Sequence, residues 1–319
     1  GWPEPTPASP SRHVVVVGGG PGGMEAARVA AERGHRVTLL ERTSHLGGTA
    51  RFSSLTTPLN GDLVRWMAAA LAEAGVEVRT ATTATPAMVA ALRPGAVVVA
   101  TGAVRDHPNT PGVNLPHVLS GDDLRSLLTG EGGDSNHRSG PLVRLALAVA
   151  RVLGITTDMG RVRSLSRRWM PIGQRVVVVG GGLVGTELAE FLADRGRSVT
   201  VLEEGGDLAT EMAHPRRWRT LHEARAHGVD FHTRTHLVAI TADEVVARTV
   251  ATDEDDGNEV RFGADSVLLA SSVQPDSSLA GAIRTGIGDD VEVHVVGDAG
   301  SVGYIEGAIR SGYEVGASL

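Results

Sequence analysis

Short β-branched runs alternate along the chain with longer stretches in which Ala, Leu, Glu and Arg recur at helical spacing. His13 to Val17 is a continuous apolar run that reads as a parallel strand buried on both faces, and it stops at glycine. Met24 to Arg33 is rich in helix formers, and Arg36 to Leu40 reads as a second strand. Leu59 to Gly75 sets Leu63, Trp66, Met67, Ala70 and Leu71 on one helical face, with Val76 to Arg79 as the next strand. Ala96 to Gly102 is another buried strand. Ser120 to Leu128 opens on Ser and Asp at capping positions and reads as a short helix, Gly130 to Gly140 as a polar loop, and Pro141 to Leu153 as an apolar helix. After a second strand–helix–strand run, Pro215 to His227 is helical. Val229 to Phe231, Leu237 to Ile240 and Val245 to Ala251 read as strands of a meander, and Asp253 to Asn258 as a solvated acidic turn. Ser266 to Ala270 is a buried strand, Val291 to Val296 a closing strand and Tyr304 to Ala317 a closing helix. Strands that alternate with helices in this way predict an α/β chain with parallel sheets.

The glycines at the first strand end sharpen that picture. Gly18, Gly20 and Gly23 fall at G-x-G-x-x-G spacing between a strand and a helix. The first allows a tight turn, the second lets the main chain approach a pyrophosphate, and the third lets the helix lie close on the strand. The helix start then offers free N–H groups and the positive end of its dipole to phosphate. Glu41 stands at the end of the second strand, where a carboxylate can accept hydrogen bonds from an adenosine ribose. Gln174 to Glu203 repeats the whole unit, with Gly180, Gly182 and Gly185 in the turn and Glu203 as the acid. Two such units imply two dinucleotides. Leu46, Gly47 and Gly48 follow the first acid, and read either as a close approach to the cofactor or as a plain loop turn.

Composition narrows the chemistry. The 319 residues, 41% hydrophobic and 21% charged, can build two ordinary domains. With no cysteine there is no disulfide, thiol nucleophile, Cys-ligated iron–sulfur cluster or C-x-x-C pair in this chain. Every one of the 30 basic residues is Arg, which excludes a lysine Schiff base and a Walker-type lysine. The net charge of −7, with four Phe, four Trp and two Tyr scattered along the chain, argues against nucleic acid as a partner. No run is long and apolar enough for a membrane span and Gly1 to Arg12 lacks a signal-peptide core, so the expected setting is the cytoplasm, away from membrane. Trp2 to Ser11 reads as a proline-rich linker or tail. Arg161, Arg163, Arg167 and Arg168 form a basic cluster that reads as a solvated connector. The twelve histidines include no H-E-x-x-H, and no metal site is expected.

Two glycine turns on one chain, A-T-G at Ala100 to Gly102 between them, and a late G-D at Gly297 and Asp298 resemble the two-dinucleotide-binding flavoprotein fold of the glutathione reductase and thioredoxin reductase type. ERTSHLGG, RRWMPIGQRVVVVGGGLVGTELAEFLADRGR and VGDAGSVGYIEGAIRSG are similar, more specifically, to the C-terminal FAD and NAD(P)H module of the old-yellow-enzyme fusion proteins. That group includes 2,4-dienoyl-CoA reductase, 2-enoate reductase and trimethylamine dehydrogenase. The likeness covers nearly all of the chain after Arg12. It implies two Rossmann-like domains, the second (173–289) inserted in the first (13–172 and 290–319), after a tail over 1–12.

The resemblance also implies FAD in the first unit, with Gly18, Gly20 and Gly23 at the diphosphate, Glu41 and Arg42 on the adenosine side, and Gly48 near the pyrophosphate. Further contacts would come from Thr101, Gly102 and Gly297, and Asp298 would hold the ribityl or phosphate end. NADH would lie at Gly180, Gly182 and Gly185, with Glu203 at the ribose and Glu187 near the nicotinamide or, alternatively, a first-turn surface carboxylate. Glu203 and Glu204 would repel a 2′-phosphate, which favours NADH over NADPH. No side chain need act as acid or base. The expected role is an NADH-oxidising flavoprotein subunit or module that passes electrons to a separate barrel-type FMN oxidoreductase partner acting on an enoate, enone or amine. The alternatives are a noncatalytic subunit that holds ADP in the first site, and a stand-alone NADH:acceptor reductase. A-x-G near the end of the nucleotide domain reads Ala270, Ser271, Ser272 here, a departure that predicts restricted backbone approach at that point.

Overall fold

Both strand–glycine–helix segments form, and each nucleates its own sheet. A computed structural model describes residues 5–106, 108–129, 158–250, 257–270, 272–288 and 290–319. The expected loop over 130–140 and helix over 141–153 lie outside the described residues, as does the acidic turn up to residue 256.

In chain order the first segment holds β1 (His13–Val17), α1 (Pro21–Glu32), β2 (Arg36–Leu40), α2 (Gly48–Ser53), α3 (Leu59–Glu73), β3 (Glu77–Arg79), α4 (Pro86–Ala91), β4 (Ala96–Val99) and β5 (Val104–Arg105). Then come β6 (Val118–Ser120), α5 (Gly121–Thr129), α6 (Met159–Ser166), β7 (Arg175–Val179), α7 (Leu183–Ala193), β8 (Ser198–Leu202), α8 (His214–Ala226), β9 (Asp230–His232), β10 (Thr235–Ile240), β11 (Glu244–Thr249), β12 (Asn258–Gly263) and β13 (Ser266–Leu269). The chain closes with β14 (Val273–Gln274), α9 (Ser278–Ile287), β15 (Glu292–Val295), a 3-10 turn (Gly297–Ala299) and α10 (Tyr304–Ser318).

The chain divides into two units, Gly1–Asp106 with Val273–Leu319, and His107–Ser272. The first carries a five-stranded parallel sheet in the order β15-β4-β1-β2-β3. The second repeats that order as β6-β13-β7-β8-β9 and adds the antiparallel meander β10-β11-β12. In each sheet the glycine-turn strand is central, which is why His13–Val17 and Arg175–Val179 are valine runs rather than alternating ones. Val14, Val15 and Val16 have no exposed surface; Met24, Leu39 and Leu71 pack with Val14 and Val16 on one face of the sheet, and Leu40 and Val89 with Val15 on the other.

The unit boundaries do not coincide with those read from the sequence at 172/173 and 289/290. β6 pairs with β13 and so draws the segment after residue 107 into the second unit, while β14 pairs with β5 and returns the chain to the first. These pairings join residues far apart in sequence, which no local pattern encodes.

Other expectations shift in detail. α1 begins at Pro21, earlier than Met24, because proline is pre-organised for a first helical position. The Ser120 cap forms reciprocally: Ser120 Oγ accepts from Asp123 N at 3.1 Å while Asp123 Oδ2 accepts from Ser120 N at 2.9 Å. Trp66 does not share the buried face of α3. It is 58% exposed, and the stripe runs through Val64, Met67 and Leu71, because at about 100° per residue Trp66 falls well off its centre. β9 belongs beside β8 in the parallel sheet rather than to the meander, whose third strand is β12. Within the proline-rich segment, Ala8 N donates to Arg33 O at 2.8 Å and Ser11 Oγ to Gly34 O at 2.7 Å, which ties it along the end of α1.

α10 closes the first unit by lying on α1 at glycine positions. A Cβ added at Gly312 would stand 2.3 Å from Gly22 O, and one at Gly316 2.9 Å from Ala26 O. The opposing atoms are backbone, so no rotamer relieves the overlap. Gly312→Ala gains about 0.5–1 kcal/mol of helix propensity and loses about 1–3 kcal/mol to overpacking. The urea midpoint of the variant is therefore expected to fall, by the equivalent of about 1–2 kcal/mol; an unchanged or higher midpoint would show that the two helices part without cost.

Candidate functional site

The two glycine turns share their backbone contacts at the first and third glycines. A Cβ added at Gly23 would sit 1.9 Å from Gly18 O, and one at Gly185 1.9 Å from Gly180 O. Helix and strand end are in backbone contact at both places, which is the third glycine's expected task. Gly18 and Gly180 have positive φ (110° and 106°) and abut the ends of β4 and β13: an added Cβ would lie 2.3 Å from Ala100 O and 2.5 Å from Ala270 O. The residues that follow β1 and β4 in the first unit, and β7 and β13 in the second, are thereby brought together at one carboxyl edge of each sheet, where open α/β sheets bind ligands.

Glu41 is buried, 6% exposed, and is held within the protein as well as aimed at the edge. Its Oε2 accepts from Gly19 N at 2.7 Å, and its Oε1 from Thr43 N at 2.7 Å and Thr43 Oγ1 at 2.8 Å. Glu203 repeats this, accepting from Gly181 N at 2.6 Å and Gly205 N at 2.7 Å. Each acid therefore clamps its own glycine turn. An ionised carboxylate has about four acceptor directions, which leaves about one on Glu41 and about two on Glu203 for a hydroxyl donor.

In the first unit the middle of the turn is open. Gly20 caps α1 without a side chain, and an added Cβ there would meet nothing within 4 Å. Gly48 comes close beside it: its added Cβ would stand 3.2 Å from Gly20 Cα. An uncapped helix start, flanked by glycine backbone on two sides, fits a dinucleotide pyrophosphate. Thr101 and Gly102, the latter at φ 80° with open space beyond it, follow β4 at the same edge, and Arg42 is exposed after β2. Gly297 and Asp298 follow β15. Gly297 N donates to Ser311 Oγ at 2.8 Å, and Asp298 Oδ1 accepts from Gly303 N at 2.9 Å and Tyr304 N at 3.1 Å, which caps α10.

The second unit differs in its charges. Glu187 lies one turn into α7 and is paired with Arg216 of α8, with only 11% of its side chain exposed, so it is more than a solvated first-turn carboxylate. On the same helix, burial first and the Glu223 carboxylate second hold the Glu190 carboxyl above its usual range. Arg234 N donates to Gly205 O at 2.9 Å, and its Nε lies 3.6 Å from where a Cβ on Gly206 would stand. The Glu203–Glu204 loop therefore has a basic neighbour, which would offset part of the repulsion those acids exert. At the end of β13, Ser271 lies outside the described residues and Ser272 is exposed. Glu211 reaches the start of α7, where its Oε2 accepts from Leu183 N at 3.1 Å. The sequence reading named none of Glu211, Arg216 and Arg234; placing the two repeats side by side exposes the first, since Glu211 falls where the first repeat has Thr49.

The basic cluster is tied locally, with Arg167 paired to Asp194 at 2.8 Å and Arg161 to Asp158 at 3.6 Å. No described helix is long and apolar enough to cross a membrane.

The family model for pyridine nucleotide-disulphide oxidoreductases matches residues 12–295. The chain is 32% identical over 308 residues to a NADH oxidase of Thermoanaerobacter brockii, covering 95% of this chain and 40% of that protein. It is 31% identical over 312 residues to a bilirubin reductase of Mediterraneibacter gnavus (strain CC55_001C), covering 97% and 41%. Among solved structures, 2-naphthoyl-CoA reductase superposes with a TM-score of 0.78 at 26% identity, over 98% of this chain and 41% of that one. Thioredoxin reductase of Lactococcus lactis superposes with a TM-score of 0.62 at 18% identity over 97% of both chains, which speaks for the fold alone. The chain thus spans about two fifths of the length of the curated relatives it matches. Having no cysteine, it shares the family's scaffold but carries no redox disulfide. The chain belongs to the pyridine nucleotide-disulphide oxidoreductase family of FAD- and NAD(P)H-dependent oxidoreductases, and within it resembles the FAD/NADH module of the old-yellow-enzyme fusion proteins.

Proposed function

We propose that this chain is the NADH-oxidising electron-input part of an old-yellow-enzyme-type reductase or dehydrogenase, delivering electrons to a barrel-type FMN domain or subunit that acts on an enoate, enone or amine. The observation that carries the reading is coverage: the chain is matched almost end to end, yet it accounts for only 40–41% of the NADH oxidase, the bilirubin reductase and 2-naphthoyl-CoA reductase.

In this reading Gly18, Gly20 and Gly23 hold the FAD diphosphate at the start of α1, with Gly48 beside them. Glu41 and Arg42 face the adenosine, Thr101 and Gly102 line the carboxyl edge, and Gly297 with Asp298 approach the ribityl and phosphate end, Asp298 through its Oδ2. FAD, when bound, supplies the two-electron redox chemistry that takes up the reducing equivalents of NADH. Gly180, Gly182 and Gly185 bind the NADH pyrophosphate and Glu203 its ribose. Glu187, braced by Arg216, lies on the nicotinamide side as a positioning group. The protein's share of catalysis is alignment and electrostatics.

The purified chain is expected to be yellow and to bleach anaerobically with NADH; a colourless protein that releases ADP on denaturation would overturn the reading in favour of a structural subunit. Within the first turn, two neighbouring substitutions should separate binding from folding. Gly20→Ala adds a methyl where nothing lies within 4 Å, so the fold should hold while flavin retention drops roughly tenfold or more. Gly23→Ala drives a Cβ into Gly18 O and should instead cost about 2 kcal/mol or more of stability. Thermal melts beside flavin content after gel filtration distinguish the two, and equal loss of both properties in both variants is incompatible with this division of labour. For coenzyme choice, Glu204→Arg is the cleaner variant, because Glu204 is exposed whereas Glu203 clamps the turn. Its kcat/KM ratio for NADPH over NADH should rise about tenfold; an unmoved ratio argues that the acids do not read the 2′-position.

A further inference from the structure

The two cradles share a plan and differ in one charge, at the point where a pyrophosphate would sit. At the start of α1 an added Cβ on Gly20 would meet nothing within 4 Å, Gly48 lies beside it, and the residue at the corresponding place in the first repeat is the neutral Thr49. The start of α7 meets Glu211. Its Oε2 accepts from Leu183 N at 3.1 Å, and its Oε1 lies 2.7 Å from where a Cβ on Gly182 would stand. A carboxylate thus occupies the space over the middle glycine of the second turn, the counterpart of the space that is open over Gly20.

The backbone that carries Glu211 is firmly placed. Ala209 N donates to Gly181 O at 2.8 Å and Met212 N to Ala209 O at 3.1 Å, while Leu208, Ala209 and Met212 are buried. Arg217 of α8 braces the same turn, donating from Nε to Leu208 O at 2.6 Å and from Nη2 to Asp207 Oδ1 at 3.0 Å. Glu211 itself is exposed. Its carboxylate can therefore leave the helix start by side-chain rotation alone, with the turn unmoved.

We infer that Glu211 is an intramolecular stand-in for the nicotinamide dinucleotide's pyrophosphate, competing with it for the start of α7 and so keeping the second site weak and exchangeable. The inference rests on the reading that the second unit binds NADH. Its physics is that a pyrophosphate must first displace the carboxylate from Leu183 N, and then bind beside a like charge at the positive end of a helix dipole. The first unit has no such competitor at Thr49, as suits a site whose flavin stays bound through many turnovers while the nicotinamide nucleotide must come and go.

The test is isothermal titration of the full chain and of Glu211→Gln and Glu211→Ala with NAD+, ADP-ribose and adenosine. ADP-ribose carries the pyrophosphate without the nicotinamide, and adenosine carries neither. Both variants are expected to bind NAD+ and ADP-ribose more tightly, by roughly tenfold for Glu211→Ala and less for Glu211→Gln, whose amide can still accept from Leu183 N. Adenosine affinity should stay within about twofold. If Glu211 merely caps the helix, both variants will melt lower with ADP-ribose affinity unchanged, which overturns the inference. Tightening that extends equally to adenosine overturns it as well, since the effect would not lie at the pyrophosphate. Binding by wild type that neither variant improves defeats this inference alone, whereas absence of NAD+ and ADP-ribose binding in all three proteins defeats the NADH reading with it.

Discussion

The position a Cβ would take on Gly23 is already claimed by the carbonyl oxygen of Gly18, at 1.9 Å, and the same holds for Gly185 and Gly180. Much else in each unit follows from that backbone contact. It sets the helix start directly against the end of the central strand, and so fixes where the free N–H groups and the dipole point. Because carbonyl and helix backbone belong to packed elements, no side-chain rearrangement makes room, and the turn has essentially one geometry. The long closing helix depends on the same kind of approach, since Gly312 meets the backbone of Gly22 within the first turn of α1.

The acids add a second restraint. Glu41 and Glu203 each accept from the N–H of the glycine between the first two motif positions and from a backbone N–H two residues after themselves. Burying Glu41 is costly unless its charge is met, and three donors meet it. The acid is thus part of the turn's own construction, and its place at the strand end is fixed by the hydrogen bonds it accepts there. Against this shared frame, the difference between Thr49 and Glu211 stands out as an electrostatic one. The scaffold is duplicated, and what distinguishes the two sites is the charge set around each helix start.

Much of this was legible residue by residue. Valine runs, glycine spacing and terminal acids are local patterns, and the strands, turns and acids sit where those patterns put them. Trp66 turns outward because the buried stripe of α3, through Val64, Met67 and Leu71, is narrower than the apolar face that the sequence pattern suggests. β9 was misassigned because a three-residue strand carries almost no pattern of its own, and its partner β8 lies beyond an intervening helix. Glu211, Arg216 and Arg234 were overlooked for a related reason. Glu211 reaches the start of α7, Arg216 the Glu187 carboxylate on that helix and Arg234 the loop after Glu203, each from a segment that reads as ordinary polar surface.

By itself the sequence determined the two strand–glycine–helix units, their order, the absence of thiol chemistry and the acids at the strand ends, since these depend on residue type and on spacing within about one unit of structure. The tertiary structure alone decided where one unit stops and the other begins, because β6 with β13 and β14 with β5 are pairings between distant segments. It also decided that Glu211 lies over the second cradle while the first stays open, since which charge meets a helix start depends on how a loop folds back, and loop return is set by packing rather than by periodicity.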